Sequence, residues 1–157
     1  MRLWRIATET RRFSAVDLSG AGAALHPGRW NDDGEPVVYC APTIAIAVLE
    51  TAAHIDASGL PLNRFLVAID VPKAVWQQHE VVLPRDLSPL WAAIPAGRAS
   101  VAFGSAFLRS LRAPILLVPS VVVPEEAVAL INPVHPLCAS LQAEVIRPFE
   151  FNRLFRP

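Results

Sequence analysis

Fifteen prolines are spread through 157 residues without gathering anywhere, and they limit what the chain can fold into. Proline removes a backbone donor and clashes with the preceding helical turn, so it breaks helix interiors and central strand ladders alike. Helices and strands must fit between Pro27, Pro36, Pro42, Pro61, Pro72, Pro84, Pro95, Pro114, Pro124 and Pro133, and are therefore short. No proline-rich linker, repeat or low-complexity tract divides the sequence, so one turn-rich domain over residues 1–157 is expected. Hydrophobic residues form 53% of it, enough to bury a sizeable core.

Between these breaks the residue patterns predict elements of both kinds. Leu3 to Ala7 reads as a first strand, Gly20 to Pro36 as a long loop, and Val37 to Cys40 as a short strand. Thr43 is placed to cap a helix reaching Ile55, in which Ile44, Val48, Ala52 and Ile55 recur at helical spacing. Arg64 to Val71 is an apolar strand and Ser100 to Ser110 a helix. Strand material follows at Ile115 to Val118, Val121 to Val123, Val128 to Ile131 and Gln142 to Ile146, with a turn at Asn132-Pro133. Strands outnumber helices and do not alternate with them, which predicts an α+β fold.

Charge and hydropathy exclude several classes. Lys+Arg and Asp+Glu both number 14, so the chain lacks the basic excess of a general nucleic-acid binder. No apolar run approaches the length of a bilayer crossing, and Arg2, Arg5 and Thr8 interrupt what a signal peptide would keep apolar, so a cytoplasmic protein is expected. A reducing compartment and apolar neighbours favour Cys40 and Cys138 as two buried thiols. No phosphate loop, GxGxxG, HExxH or CxxC occurs, and the four histidines lie far apart, so no metal site is expected.

A few positions carry candidate chemistry. In Gly28-Arg29-Trp30-Asn31 a guanidinium stands beside a large aromatic in a polar loop, suited to a phosphate or ribose-phosphate group, or equally to pinning the loop down. Glu50 is the only charge in the run Tyr39 to Ile55, with His54 one turn later on the same face; a carboxylate in such dry surroundings can act on a substrate or mark a wet helix face. Tyr39, the single tyrosine, is either core with a satisfied hydroxyl or a stacking wall for a planar ligand. Ser120 interrupts LLVPSVVV, its hydroxyl paired at a bulge or aimed into a pocket.

These positions fall into an ordered set: Trp4-Arg5, Gly28-Arg29-Trp30-Asn31, Val38-Tyr39-Cys40-Ala41, Leu49-Glu50, Val118-Pro119-Ser120, Asn132-Pro133 and His135-Pro136. In that order, over residues 4–136, the sequence resembles the RES-domain toxins of bacterial toxin–antitoxin pairs, named for Arg, Glu and Ser. The resemblance implies an ADP-ribosyltransferase-like fold, a split antiparallel β-core with helices around an NAD⁺ cleft. It implies a growth-arresting toxin that consumes NAD⁺ by hydrolysis, by phosphorolysis or by ADP-ribosyl transfer to a protein acceptor, and a partner antitoxin with an Xre-like region that leaves any DNA contact to the partner.

The same resemblance gives roles to residues. Glu50 stabilises the ribosyl cation formed as the nicotinamide–ribose bond breaks, Tyr39 stacks on the nicotinamide, and Arg29 holds the pyrophosphate or a ribose phosphate. Ser120 bonds the nicotinamide riboside end, Arg5 supplies a second anion contact, and Trp30 and Asn31 join the NAD⁺ site. Asn132 and His135 fit the pattern, though a turn-stabilising role explains them equally well. Two other classes stand beside this one. A non-catalytic interaction module would use the high apolar content for a partner; a serine hydrolase built on Ser120 and His135 lacks the glycines of a nucleophile elbow.

Overall fold

The computed structural model describes residues 1–55 and 62–154. Pro61, one of the expected element boundaries, lies outside them. Among the described residues, seven strands form two sheets: β1 (Arg2–Thr8), β3 (Arg64–Asp70) and β7 (Gln142–Phe149) in the order β1-β3-β7, and β2 (Val38–Cys40), β4 (Glu80–Val81), β5 (Ile115–Pro119) and β6 (Ala127–Ile131) in the order β2-β6-β5-β4. Helices α1 (Ala21–Leu25), α2 (Ile44–Ala52), α3 (Lys73–Trp76) and α4 (Arg98–Ser110) complete an α+β fold.

A bridge between Trp4 and Ala41, with both N–H···O bonds at 2.8 Å, joins the two sheets at β1 and β2. Strands β5 and β6, near-continuous apolar runs, are buried on both faces, and β1 adds Leu3, Ile6 and Ala7 to the core. Alternation sends Leu3 and Ala7 into one core cluster and Ile6 into the other, and does the same with Ala129 and Ile131 against Val128 and Leu130. Helix α2 covers the Ile6 side through Ile46, Ala47 and Val48, while Phe107 and Leu108 bring α4 onto the same cluster.

Four expectations about the elements need correction. The split core is not wholly antiparallel, because β4 runs parallel to β5. A parallel pair needs a crossover, and α4 supplies it on the way from one strand to the other. The stretch Gly20 to Pro36 contains α1, entered through Gly20 at φ 71°. Val121 to Val123 form no strand, since the N–H groups of Val122 and Val123 both donate to the Ser120 hydroxyl and Ser120 N–H closes the loop onto Glu126. Helix α2 starts where expected, with the Thr43 hydroxyl accepting from Ile46 N–H, but stops at Ala52.

Proline meets the sheets only where no ladder needs its missing donor. Pro119 ends β5 beyond the reach of β4, which pairs only with Leu116 and Leu117, and Pro148 lies in edge strand β7. The cysteines are unbridged; Cys40 is buried, but Cys138 is only partly so. Among the described residues, no helix is long and apolar enough to cross a membrane.

Candidate active site

The loop bearing Arg29 has almost no freedom. Asn31, 0% exposed, accepts at Oδ1 from Gly28 N–H and from the Tyr39 hydroxyl, both at 2.8 Å. Its Nδ2 donates to the carbonyls of Ala23 and Glu35 at 2.9 and 3.0 Å. The Tyr39 oxygen accepts in turn from Trp30 N–H at 3.0 Å. Gly28 fits this arrangement because it lacks a Cβ, which would lie 2.7 Å from the Tyr39 hydroxyl oxygen.

Helix α4 closes the loop from the other side. Gly104 lets it approach so closely that a Cβ there would stand 1.9 Å from the Trp30 carbonyl oxygen. Trp30, 3% exposed, stacks on Trp91 with centroids 6.1 Å apart and meets Phe103 edge-on. Glu35 fastens the far end of the loop to α4: one carboxylate oxygen pairs with Arg109 at 2.6 Å, and the other accepts from the Ser105 hydroxyl and from Asp32 N–H. Burial alone would raise the Glu35 carboxyl, but these hydrogen bonds and the Arg109 charge outweigh it and hold the group below its ordinary value.

Arg29 emerges from this frame with its Nη1 donating to the carbonyls of Trp91 and Ala93, at 2.9 and 2.7 Å. Partial burial holds its guanidinium below the ordinary arginine value, against the opposing charge of Glu50 and the influence of Tyr39. Glu50, on the last turns of α2, accepts a hydrogen bond at Oε1 from the Ser120 hydroxyl. Two backbone N–H groups, of Val122 and Val123 at 3.1 and 3.0 Å, already occupy the lone pairs of that hydroxyl, so its proton points at the carboxylate. Burial pushes the Tyr39 phenol well above its usual value, and with its hydroxyl donating to Asn31 it is a fixed neutral ring.

The structure thus joins Glu50 of α2 to Ser120 at the end of β5 by a hydrogen bond, and sets Arg29 within the electrostatic influence of Glu50 and Tyr39. Other expected contacts lie elsewhere. Trp30 and Asn31 are buried, and both polar atoms of the Asn31 amide are in use, so in this structure they shape the loop. Arg5 alternates onto the face of β1 opposite Ile6, where Nη1 donates to the Asp17 carbonyl at 3.0 Å and burial lowers its pKa. His54 turns its ring to the Glu50 backbone carbonyl rather than to the carboxylate. Asn132 ties α4 to β6 by donating to Leu108 O, and His135 caps a 3-10 turn at Pro136–Ser140 by accepting from Leu137 N–H. Among the described residues, no three or more His, Cys, Asp or Glu side chains gather to hold a metal ion.

Sequence reasoning missed Trp91, Phe103, Gly104 and Glu35. Trp91 carried one usable signal, an aromatic in the uncharged run from Leu87 to Gly97. The others act through contacts that only the fold creates.

Comparison with known proteins agrees with this architecture. The RES domain family model matches residues 2–152. A protein named Prs ADP-ribosylating toxin, from Sphingobium sp. (strain YBL2), is 50% identical over 95% of this chain and 92% of its own length. Toxin Res of Pseudomonas putida is 36% identical over 99% of this chain and 100% of its own length. The crystal structure of the M. tuberculosis MbcT-MbcA toxin-antitoxin complex shares the fold, with a TM-score of 0.63 at 20% identity over 94% of this chain and 84% of that one. Matched almost from end to end by the family model and by relatives 50% and 36% identical to it, the chain belongs to the RES-domain family.

Proposed function

We propose that this chain is the toxin of a toxin–antitoxin pair and that it cleaves NAD⁺ at the nicotinamide–ribose bond. The observation that carries the reading is the Ser120 hydroxyl committed to the Glu50 carboxylate, whose charge the Arg29 guanidinium feels. As the C1′–N bond breaks, both bonding electrons leave with nicotinamide, whose ring nitrogen loses its positive charge, and the ribosyl carbon becomes cationic. A carboxylate beside that carbon stabilises the developing charge, as in glycoside hydrolysis, and Glu50 fills this role.

Ser120 holds one carboxylate oxygen of Glu50 in place, a job its capped hydroxyl suits better than direct contact with nicotinamide riboside. Tyr39 offers its face to the cationic nicotinamide in the ground state and loses that attraction once the ring is neutral. Arg29 takes the pyrophosphate. Arg5, on the opposite face of β1 and bonded to the Asp17 carbonyl, has no part in this site.

A protein nucleophile arriving at the ribosyl carbon makes the reaction ADP-ribosyl transfer; water or phosphate makes it degradation. The name of the Sphingobium relative favours transfer. The partner is an antitoxin with an Xre-like region, and the site is cytoplasmic. NAD⁺ labelled in the adenine ring, incubated with the protein with and without cell lysate, tests the reading. Label in a protein band means transfer, label in free ADP-ribose or its phosphate means degradation, and intact NAD⁺ in both arms overturns the reading.

A further inference from the structure

We infer that Trp91 is a positioning residue for the NAD⁺ reaction, setting the direction of the Arg29 guanidinium through the backbone that follows it; this rests on the function proposed above. Arg29 Nη1 is spent on two main-chain carbonyls, Trp91 O and Ala93 O, at 2.9 and 2.7 Å. Of the guanidinium's two forked edges, the one that includes Nη1 is thereby closed to a ligand. Among the described residues Nε and Nη2 have no hydrogen-bond partner, and their two parallel N–H bonds are spaced to grip two phosphate oxygens side-on. A pyrophosphate is therefore met by a preset fork.

The direction of that fork depends on where the strap carrying the carbonyls stands. The strap is the 3-10 turn Pro89–Ala92 and the residue after it, entered through a Ser88 cap. Within the turn, Trp91 is the one buried side chain, at 7% exposure, while Leu90 on one side and Ile94 beyond the turn are 67% and 82% exposed. The indole stacks on Trp30, the residue next to Arg29, with an interplanar angle of 20°. Trp30 is itself fixed against Phe103 and by the close approach of Gly104. Strap and loop are thus tied twice at adjacent positions, ring to ring and guanidinium to carbonyl. An aliphatic side chain at position 91 fills much of the space but gives up the stack, and the carbonyls drift from the guanidinium.

The test uses the full chain with Trp91→Leu and Trp91→Phe. Nicotinamide release should show the KM for NAD⁺ rising about tenfold in W91L, with kcat within about threefold, and a KM rise of only about threefold in W91F. Coupling is then read from calorimetric NAD⁺ dissociation constants in chains that also carry Glu50→Gln, so that no turnover intervenes. There the loss from W91L should shrink to less than about twofold when Arg29→Lys is already present, because lysine has no fork to direct. An unchanged KM in W91L, or the full loss persisting beside R29K, overturns the inference and leaves Trp91 a core residue only. Should W91L not melt cooperatively, W91F decides by the same two measurements: its threefold rise disappears with R29K or the inference fails. A wild-type chain that binds NAD⁺ without releasing nicotinamide would refute the proposed function, whereas an active wild type indifferent to position 91 refutes this inference alone.

Discussion

Asn31 shows how much one side chain holds at the residue scale. It satisfies Gly28 N–H, the Tyr39 hydroxyl and the carbonyls of Ala23 and Glu35 with no exposure to solvent. Removing the amide leaves several buried polar groups unpaired at once, so Asn31→Ala should cost about 3 kcal/mol in a denaturant titration and take NAD⁺ turnover with it. Ser120 acts more narrowly. Ser120→Ala removes the hydrogen bond to the Glu50 carboxylate and the acceptor of the Val122 and Val123 N–H groups, and steady-state kinetics should show kcat falling about tenfold while KM changes little. A shift confined to KM would place the hydroxyl on the substrate instead. The candidate residues were readable because each is chemically out of place in its stretch: a lone acid in an apolar helix, a hydroxyl among valines, a single tyrosine. That Glu50 and Ser120 meet was not readable, since 70 positions separate them.

At the scale of elements, α4 is the brace of the loop that carries Arg29. Gly104→Ala would push a methyl into the Trp30 carbonyl, and neither is the free end of a flexible side chain. The helix and the loop must part, costing about 3 kcal/mol by thermal or chemical unfolding. Glu35 gives the same brace a pH signature. Its carboxyl lies below its ordinary value in the fold, so the unfolded chain takes up the proton first as pH falls. The stabilisation is complete above the unfolded value near 4.5 and is lost progressively below it, down through the folded value. Wild type should therefore lose stability on acidification through this range more steeply than Glu35→Gln, a difference that denaturant midpoints at a series of pH values will show. Coinciding slopes would mean the Arg109 and Ser105 contacts do not hold the carboxylate. The long elements β1, β3 and α4 were legible from apolar runs and proline limits. The run Val121 to Val123 misled because side-chain capping by Ser120 took the N–H groups that a ladder needs, and local β propensity had no answer to that. The two-residue strand β4 depends entirely on a parallel partner brought by the α4 crossover.

Across the whole molecule, two small sheets bridged at Trp4 and Ala41 bring the end of β2, the last turns of α2 and the end of β5 to one place. The zero net charge suits a protein whose ligand is one dinucleotide held by one or two placed guanidiniums, and most of the thirteen arginines lie outside the site. The α+β class followed from element order, yet the meeting of the two sheets and the strap over Arg29 depend on long-range contacts that no local pattern encodes. The central claim is that Glu50, with Ser120 on one oxygen, stabilises the ribosyl cation. It is tested most directly by nicotinamide release at saturating NAD⁺ from the wild type and from Glu50→Gln, which keeps shape and loses charge. The account predicts a fall of about a thousandfold or more in rate, with NAD⁺ affinity within a few-fold; equal rates from the two proteins would contradict it.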